Sequence, residues 1–170
     1  MDDYKEAFDM HVKSEKITSS TNTFKIRLFL KKGENSLFIA KHLKDMDPKR
    51  GEPEKLYWNY WAITVSYYSM LYCAKALILK KGYEVHGHDA AQTALGYLCV
   101  PSQMEKEDLE ILNQSHKIFE DEYVKYFEQA KTESHIARYS AIKTYSERRL
   151  EEIFENARKF VGKAGLIIGN

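Results

Sequence analysis

The 170-residue sequence predicts an all-α protein, an up-and-down bundle of four to five main helices with an N-terminal helical extension. Three observations carry that prediction. Between Lys55 and Lys81, apolar residues would surround nearly the whole circumference of a helix, as expected of a helix buried on most sides. Two long segments, Leu109 to Ala130 and Ile142 to Ala164, place apolar residues at alternating steps of three and four. That is the narrow seam of a helix packed on an antiparallel neighbour. One stretch, Phe24, Ile26, Leu28 and Leu30, alternates like a strand, but nothing else in the chain offers it a partner, so it is read as helical.

The elements follow in order. Asp2 and Asp3 open a short helical pattern through Val12, with acids at the positive end of the helix dipole. Lys13 to Asn22 is polar, and its run from Thr18 to Asn22 reads as a linker ending in helix caps. The helix from Phe24 is expected to be interrupted near Gly33. Ser36, Ile39, Leu43 and Met46 then follow helical spacing until Pro48, and Asp47 to Pro53 is a loop because two prolines and a glycine punctuate it. Lys80, Lys81 and Gly82 end the central helix, cations at its negative end and then glycine for the reversal. His86 and His88 stand in the loop that follows. Asp89 is expected to cap a short helix with Ala90, Ala94, Leu95 and Leu98 on one face, closed by Pro101. The tail from Ala164 to Asn170 is expected to fray. Residues 1–33 are thus read as an extension, 34–166 as the bundle and 167–170 as a tail.

Composition narrows the function classes. Hydrophobic residues at 44% and charged residues at 30% are globular proportions. Lysine plus arginine number 26 against 25 acids, so the basic excess of a protein gripping duplex nucleic acid over a wide face is missing. Any RNA contact would have to be local. Cys73 and Cys99 lie inside apolar helical patterns without zinc-type spacing and read as buried, reduced thiols. No signal-peptide pattern opens the chain and the apolar stretches are broken by Lys, Asn or Ser, so a cytoplasmic protein outside the membrane is expected.

The central helix also carries a resemblance. Tyr67-Tyr68-Ser69-Met70-Leu71-Tyr72, then Ala74-Lys75-Ala76-Leu77 and Lys81-Gly82-Tyr83, resembles the signature helix of the HEPN-domain family. There an aromatic pair, a small residue and an Ala-rich run ending in Gly precede a loop that ends in histidine, the place of His86 and His88. A segment containing Arg138, and Tyr145 leading into Glu147 to Val161, resembles the family's closing helix. The resemblance spans roughly Glu34 to Leu166 and rests mostly on core positions, so it speaks to fold more than to activity. It implies a bundle of four or five helices, often a homodimer, in bacteria or archaea. Many such proteins are encoded beside a minimal nucleotidyltransferase, and some are metal-independent RNases acting as toxins of the toxin–antitoxin kind. Their catalytic signature is an arginine, four to six residues, then a histidine. The histidine moves protons near the RNA 2′-hydroxyl, and the arginine stabilises phosphate charge.

That spacing is absent from this sequence. Arg27, Arg50, Arg138, Arg148, Arg149 and Arg158 all lack a histidine five to seven positions downstream. Arg138 comes closest, with Lys143 and Tyr145 at the two ends of that window, and His135 lies three residues before it. Arg138 and Tyr145 share a face if the stretch is helical. A lysine, with a reference pKa of about 10.4, stays charged at neutral pH and holds phosphate more readily than it takes a proton. Arg138, Lys143, Tyr145 and His135 are therefore the candidate site residues. If a transferase modifies the chain, Tyr145 is the hydroxyl that matches the family.

Other features have plainer readings. His86-Gly-His88 lacks a third ligand nearby in sequence and suits a loop or capping role; no metal or cofactor is expected. His116, on the seam of the penultimate helix, reads as a satisfied core or dimer-interface histidine. The rings from Tyr57 to Tyr72 read as core rather than a base-stacking surface. Arg148, Arg149, Arg158, Lys159 and Lys163 interleave with Glu147, Glu151, Glu152 and Glu155 and read as a solvated, internally paired face. The sum is a dimeric binding protein partnering a nucleotidyltransferase-like protein, with nucleotide or RNA as ligand. The alternatives are a divergent metal-independent RNase using Arg138 and a purely structural assembly module.

Overall fold

The helix that the sequence wraps in apolar residues becomes the axis of the fold. The computed structural model describes residues 2–100, 102–131 and 136–169, with side chains at 4–100, 102–118 and 147–169. The elements run α1 (Asp2–Lys13), β1 (Ile17–Ser19), α2 (Thr23–Asp45), α3 (Lys55–Lys80), β2 (Tyr83–Val85), α4 (His88–Leu98), α5 (Lys106–Lys131) and α6 (Ile136–Gly169). The protein is all-α, with one small two-stranded ribbon among the described residues. α3 packs against α2, α6, α4 and α5, which leaves Ile63, Tyr67, Met70, Leu77 and Ile78 without exposed surface. Among the described residues it is the one helix long and apolar enough to cross a bilayer, and its side chains are mostly buried against its neighbours instead. Tyr57 and Trp61, near its start, are exposed. The stretch expected as core departs from it at these two positions, one turn apart on the same side of α3, while Asn59 and Ala62 in the same turns are fully buried.

α2 runs unbroken through Gly33, so the expected interruption does not occur. The glycine serves close packing instead. A methyl group there would collide with Cys73 Sγ and lie 2.9 Å from the Ser69 carbonyl oxygen of α3. Asn22 caps the helix, its Oδ1 accepting from the Lys25 N–H at 3.3 Å. The segment expected to be a linker contains β1, which pairs antiparallel with β2 in the register Ile17↔Val85, Thr18↔Glu84 and Ser19↔Tyr83. Three residues are too few to display a period of two, which is why the ribbon is invisible in the sequence. It ties the start of the chain to the end of α3, with Ser20 N–H donating to the Gly82 carbonyl at 2.8 Å and Lys25 Nζ meeting Glu84 at 2.8 Å. Phe8 and Ile17 are buried in the common core. The Phe8 ring packs edge-on against Tyr83 at 5.2 Å and beside Tyr97 at 4.8 Å.

α5 and α6 are joined at one end by Asp108. Its Oδ2 accepts the Glu105 backbone N–H at 2.8 Å, which caps α5, and also meets Lys163 Nζ of α6 at 2.5 Å. α6 continues to Gly169 rather than fraying from Ala164. Ile167 and Ile168 are half-buried against the core, and Lys80 Nζ donates to the Ile167 carbonyl at 2.6 Å. Lys44 reaches Glu151 at 2.8 Å, fastening α2 to α6. The expected intrahelical pairing is seen between Arg158 and Glu155, with two bonds at 2.9 and 2.7 Å. Cys73 and Cys99 are buried and unbridged. Burial pushes the Cys73 thiol up to about 12 and that of Cys99 up to about 11.

Candidate functional site

Polar aromatic groups from three helices meet where α3, α4 and α5 converge. Tyr67 and Tyr68 are successive residues of α3, so their rings leave the helix about 100° apart. His88 is the first residue of α4. It owes its place to Gly87, whose φ of +101° turns the chain into the helix and is a conformation that side-chain-bearing residues rarely adopt. The expected cap, Asp89, therefore lies inside the first turn, and Gly87 occupies the capping position. His116 comes from α5, on the face that packs against α3.

Tyr67 has no exposed surface. Its hydroxyl lies 2.8 Å from His88 Nδ1. The His116 ring stacks on Tyr67 with centroids 5.3 Å apart, and the two imidazoles are 5.1 Å apart. Tyr68 closes the group, edge-on to His88 at 5.9 Å. From Tyr68 a line of rings continues to Tyr72 and on to Phe29 of α2, at 6.2 and 6.4 Å. Lys32 Nζ sits 5.7 Å above both of the last two rings, a cation–π arrangement.

The polar environment is unusual for a core. Ser66 and Ser115, chain neighbours of Tyr67 and His116, are fully buried, and their hydroxyls have no hydrogen-bond partner among the described residues. Thr64 Oγ1 and, on α5, Asn113 Oδ1 are also buried atoms of half-buried residues with no partner among the described residues. Buried polar atoms without partners are rare, and each calls for an explanation. Chemically, a phenol and an imidazole in contact can pass a proton, and a neutral imidazole offers one donor and one acceptor. His88 and His116 are half-buried, so they, rather than Tyr67, are the members a ligand can meet.

A family model supplies the wider frame. The model of the HEPN domain matches residues 26–166, most of the chain. The chain belongs to the HEPN-domain family. In this HEPN protein the aromatic pair of the signature helix is thus the inner wall of the histidine cluster. A comparison with curated proteins gives no match. Of the site residues expected from sequence, Arg138, Lys143 and Tyr145 fall within the span of α6, with side chains outside the described residues, and His135 lies outside them altogether. His86 and His88 part company: His86 is exposed and its N–H donates to the Lys16 carbonyl at 2.8 Å, while His88 turns to Tyr67. His116, expected as a core or dimer-interface histidine, is half-buried and stacked on Tyr67. What the sequence did not reveal is that His88, His116 and Tyr67 are one group, since no local spacing connects them.

Proposed function

We propose that this HEPN protein is a binding component rather than a nuclease. It acts as a cytoplasmic homodimer in a prokaryote, partners a nucleotidyltransferase-like protein in a toxin–antitoxin pair, and takes nucleotide or RNA as ligand. The HEPN family is nucleotide- or RNA-related or RNase-type, which supports a ligand of that class. The observation that carries the reading is in the arginines: none of the six is followed at nuclease spacing by a histidine. The two histidines that cluster among the described residues, His88 and His116, are half-buried and engaged with Tyr67. A nuclease needs a proton-transfer group within reach of the 2′-hydroxyl and a cation on the phosphate at once. The cationic candidates Arg138 and Lys143 lack a histidine at the family's downstream spacing, which suits anion holding.

The test is RNA cleavage by purified protein in excess chelator, wild type against Arg138→Ala. Neither protein is expected to cleave. Cleavage by the wild type that vanishes in the variant would overturn the reading in favour of a divergent RNase centred on Arg138. If the partner transferase modifies this chain, incubation of the two proteins with nucleotide adds a nucleotidyl mass to the wild type and none to Tyr145→Phe. An identical mass gain in both would remove Tyr145 as the acceptor.

A further inference from the structure

We propose that the outer face of α2 is a docking surface for an acidic amphipathic helix of a partner protein. The proposal stands whether or not the chain binds nucleotide. α2 buries Gly33 and Ala40 against the bundle, yet its opposite side is not the polar face such a helix should show. Phe24 is 77% exposed, Phe38 65%, Ile39 50%, Leu28 41% and Met46 37%. At 100° per residue these five side chains fall within an arc of about 100° centred opposite the buried seam. Phe24, Leu28, Lys31, Asn35, Phe38, His42 and Met46 follow one another at steps of three and four. That is the seam one helix offers another in a coiled coil, about 33 Å long. Part of it is pre-shaped, since the Phe38 and His42 rings are 4.4 Å apart and His42 Nδ1 lies 3.1 Å from the Phe38 carbonyl.

Charge names the occupant. Arg27, Lys31, Lys32 and Lys41 are exposed on this helix against Glu34 and Asp45, although the chain as a whole carries only +1. The helix's other two lysines are turned to Glu84 and Glu151 within the fold. An incoming helix with apolar residues on one face and glutamates along its edges satisfies both the seam and the rim. A second copy of this chain fits less well, because α2 on α2 would set two net-basic faces against each other. RNA would use the rings of Phe24 and Phe38 but gain nothing from Leu28, Ile39 and Met46, which have no stacking face. A bilayer would have to take in Lys31 and Asn35 at the centre of the stripe.

The experiment measures binding of two designed helical peptides of matching length to the full chain by fluorescence anisotropy. They share an apolar stripe and differ only in carrying glutamate or lysine at the flanking positions. The glutamate peptide is expected to bind at least tenfold tighter than the lysine peptide. Phe38→Asp, at an exposed site that leaves the circular dichroism melt unchanged, should weaken it at least tenfold, and Arg27→Glu with Lys41→Glu, both at the edge of the stripe, should invert the preference. Equal binding of both peptides, or none by either, overturns the proposal. So does self-association of the wild type that Phe38→Asp abolishes, which would assign the face to a second copy. Phe38-dependent binding to a single-stranded RNA 20-mer or to anionic phospholipid vesicles, in place of the peptide, overturns it likewise.

Discussion

Asn59 on α3 is fully buried, and neither its amide nitrogen nor its carbonyl oxygen has a partner among the described residues. A buried amide left unpaired costs about 1–3 kcal/mol of desolvation. Asn59→Leu, close to it in volume, should therefore raise stability by about 1–2 kcal/mol, read as a higher urea midpoint. A lower midpoint would mean that the amide is held by a group supplied from outside the chain. The thiols make a second prediction at this scale. In the unfolded chain Cys73 titrates near 9.0, whereas in the fold burial moves it up to about 12, with Cys99 following to about 11. The folded state thus keeps protons that the unfolded state releases. The stabilising contribution is complete below about pH 9 and is lost as pH climbs from there towards 12. Urea midpoints should fall steadily across that window, and a Cys73→Ala, Cys99→Ala chain should fall less steeply. In the native wild type, iodoacetamide at pH 8 should label neither thiol.

Among the elements, the joint at Asp108 is the most exposed to attack by mutation, because one carboxylate oxygen serves both the start of α5 and Lys163 of α6. That hydrogen bond, chiefly, holds the Lys163 pKa above its ordinary value. Asp108→Asn removes the charge while keeping the shape, and should cost about 1–2 kcal/mol by loss of cap and ion pair together. Adding Lys163→Ala to it should cost little more, and a fully additive double variant would show that the two jobs are independent. The elements also show what a sequence can disclose. α3, α5 and α6 are legible because each repeats its period over many turns, whereas α2 is read in two pieces, and Lys80–Gly82 and Asn22 mark ends by chemistry that acts locally. Gly33 is misread for a physical reason: the same absence of a side chain that weakens a helix also lets two helices approach, and only the neighbour, Cys73, distinguishes the cases. The histidine cluster is illegible for a related reason. Tyr67, His88 and His116 lie on three helices, and their meeting is fixed by packing rather than by spacing.

For the molecule as a whole, the first twenty residues are part of the core rather than an attachment to it. Phe8 and Ile17 are buried in the same cluster as α3 and α6. A chain beginning at Asn22 loses both, at about 1.5–3 kcal/mol each, and should unfold at a markedly lower urea concentration; an unchanged midpoint would show that the bundle folds without them. The ribbon that secures this segment has one more consequence, for the nascent chain. β1 leaves the ribosome long before β2, and roughly seventy residues must be made before Ile17 can meet Val85. Throughout that interval Phe8 and Ile17 have nothing to bury against, since synthesis is slow compared with the collapse of a finished helix pair. In the nascent chain Phe8 and Ile17 therefore stay without these partners until β2 and α4 have been made.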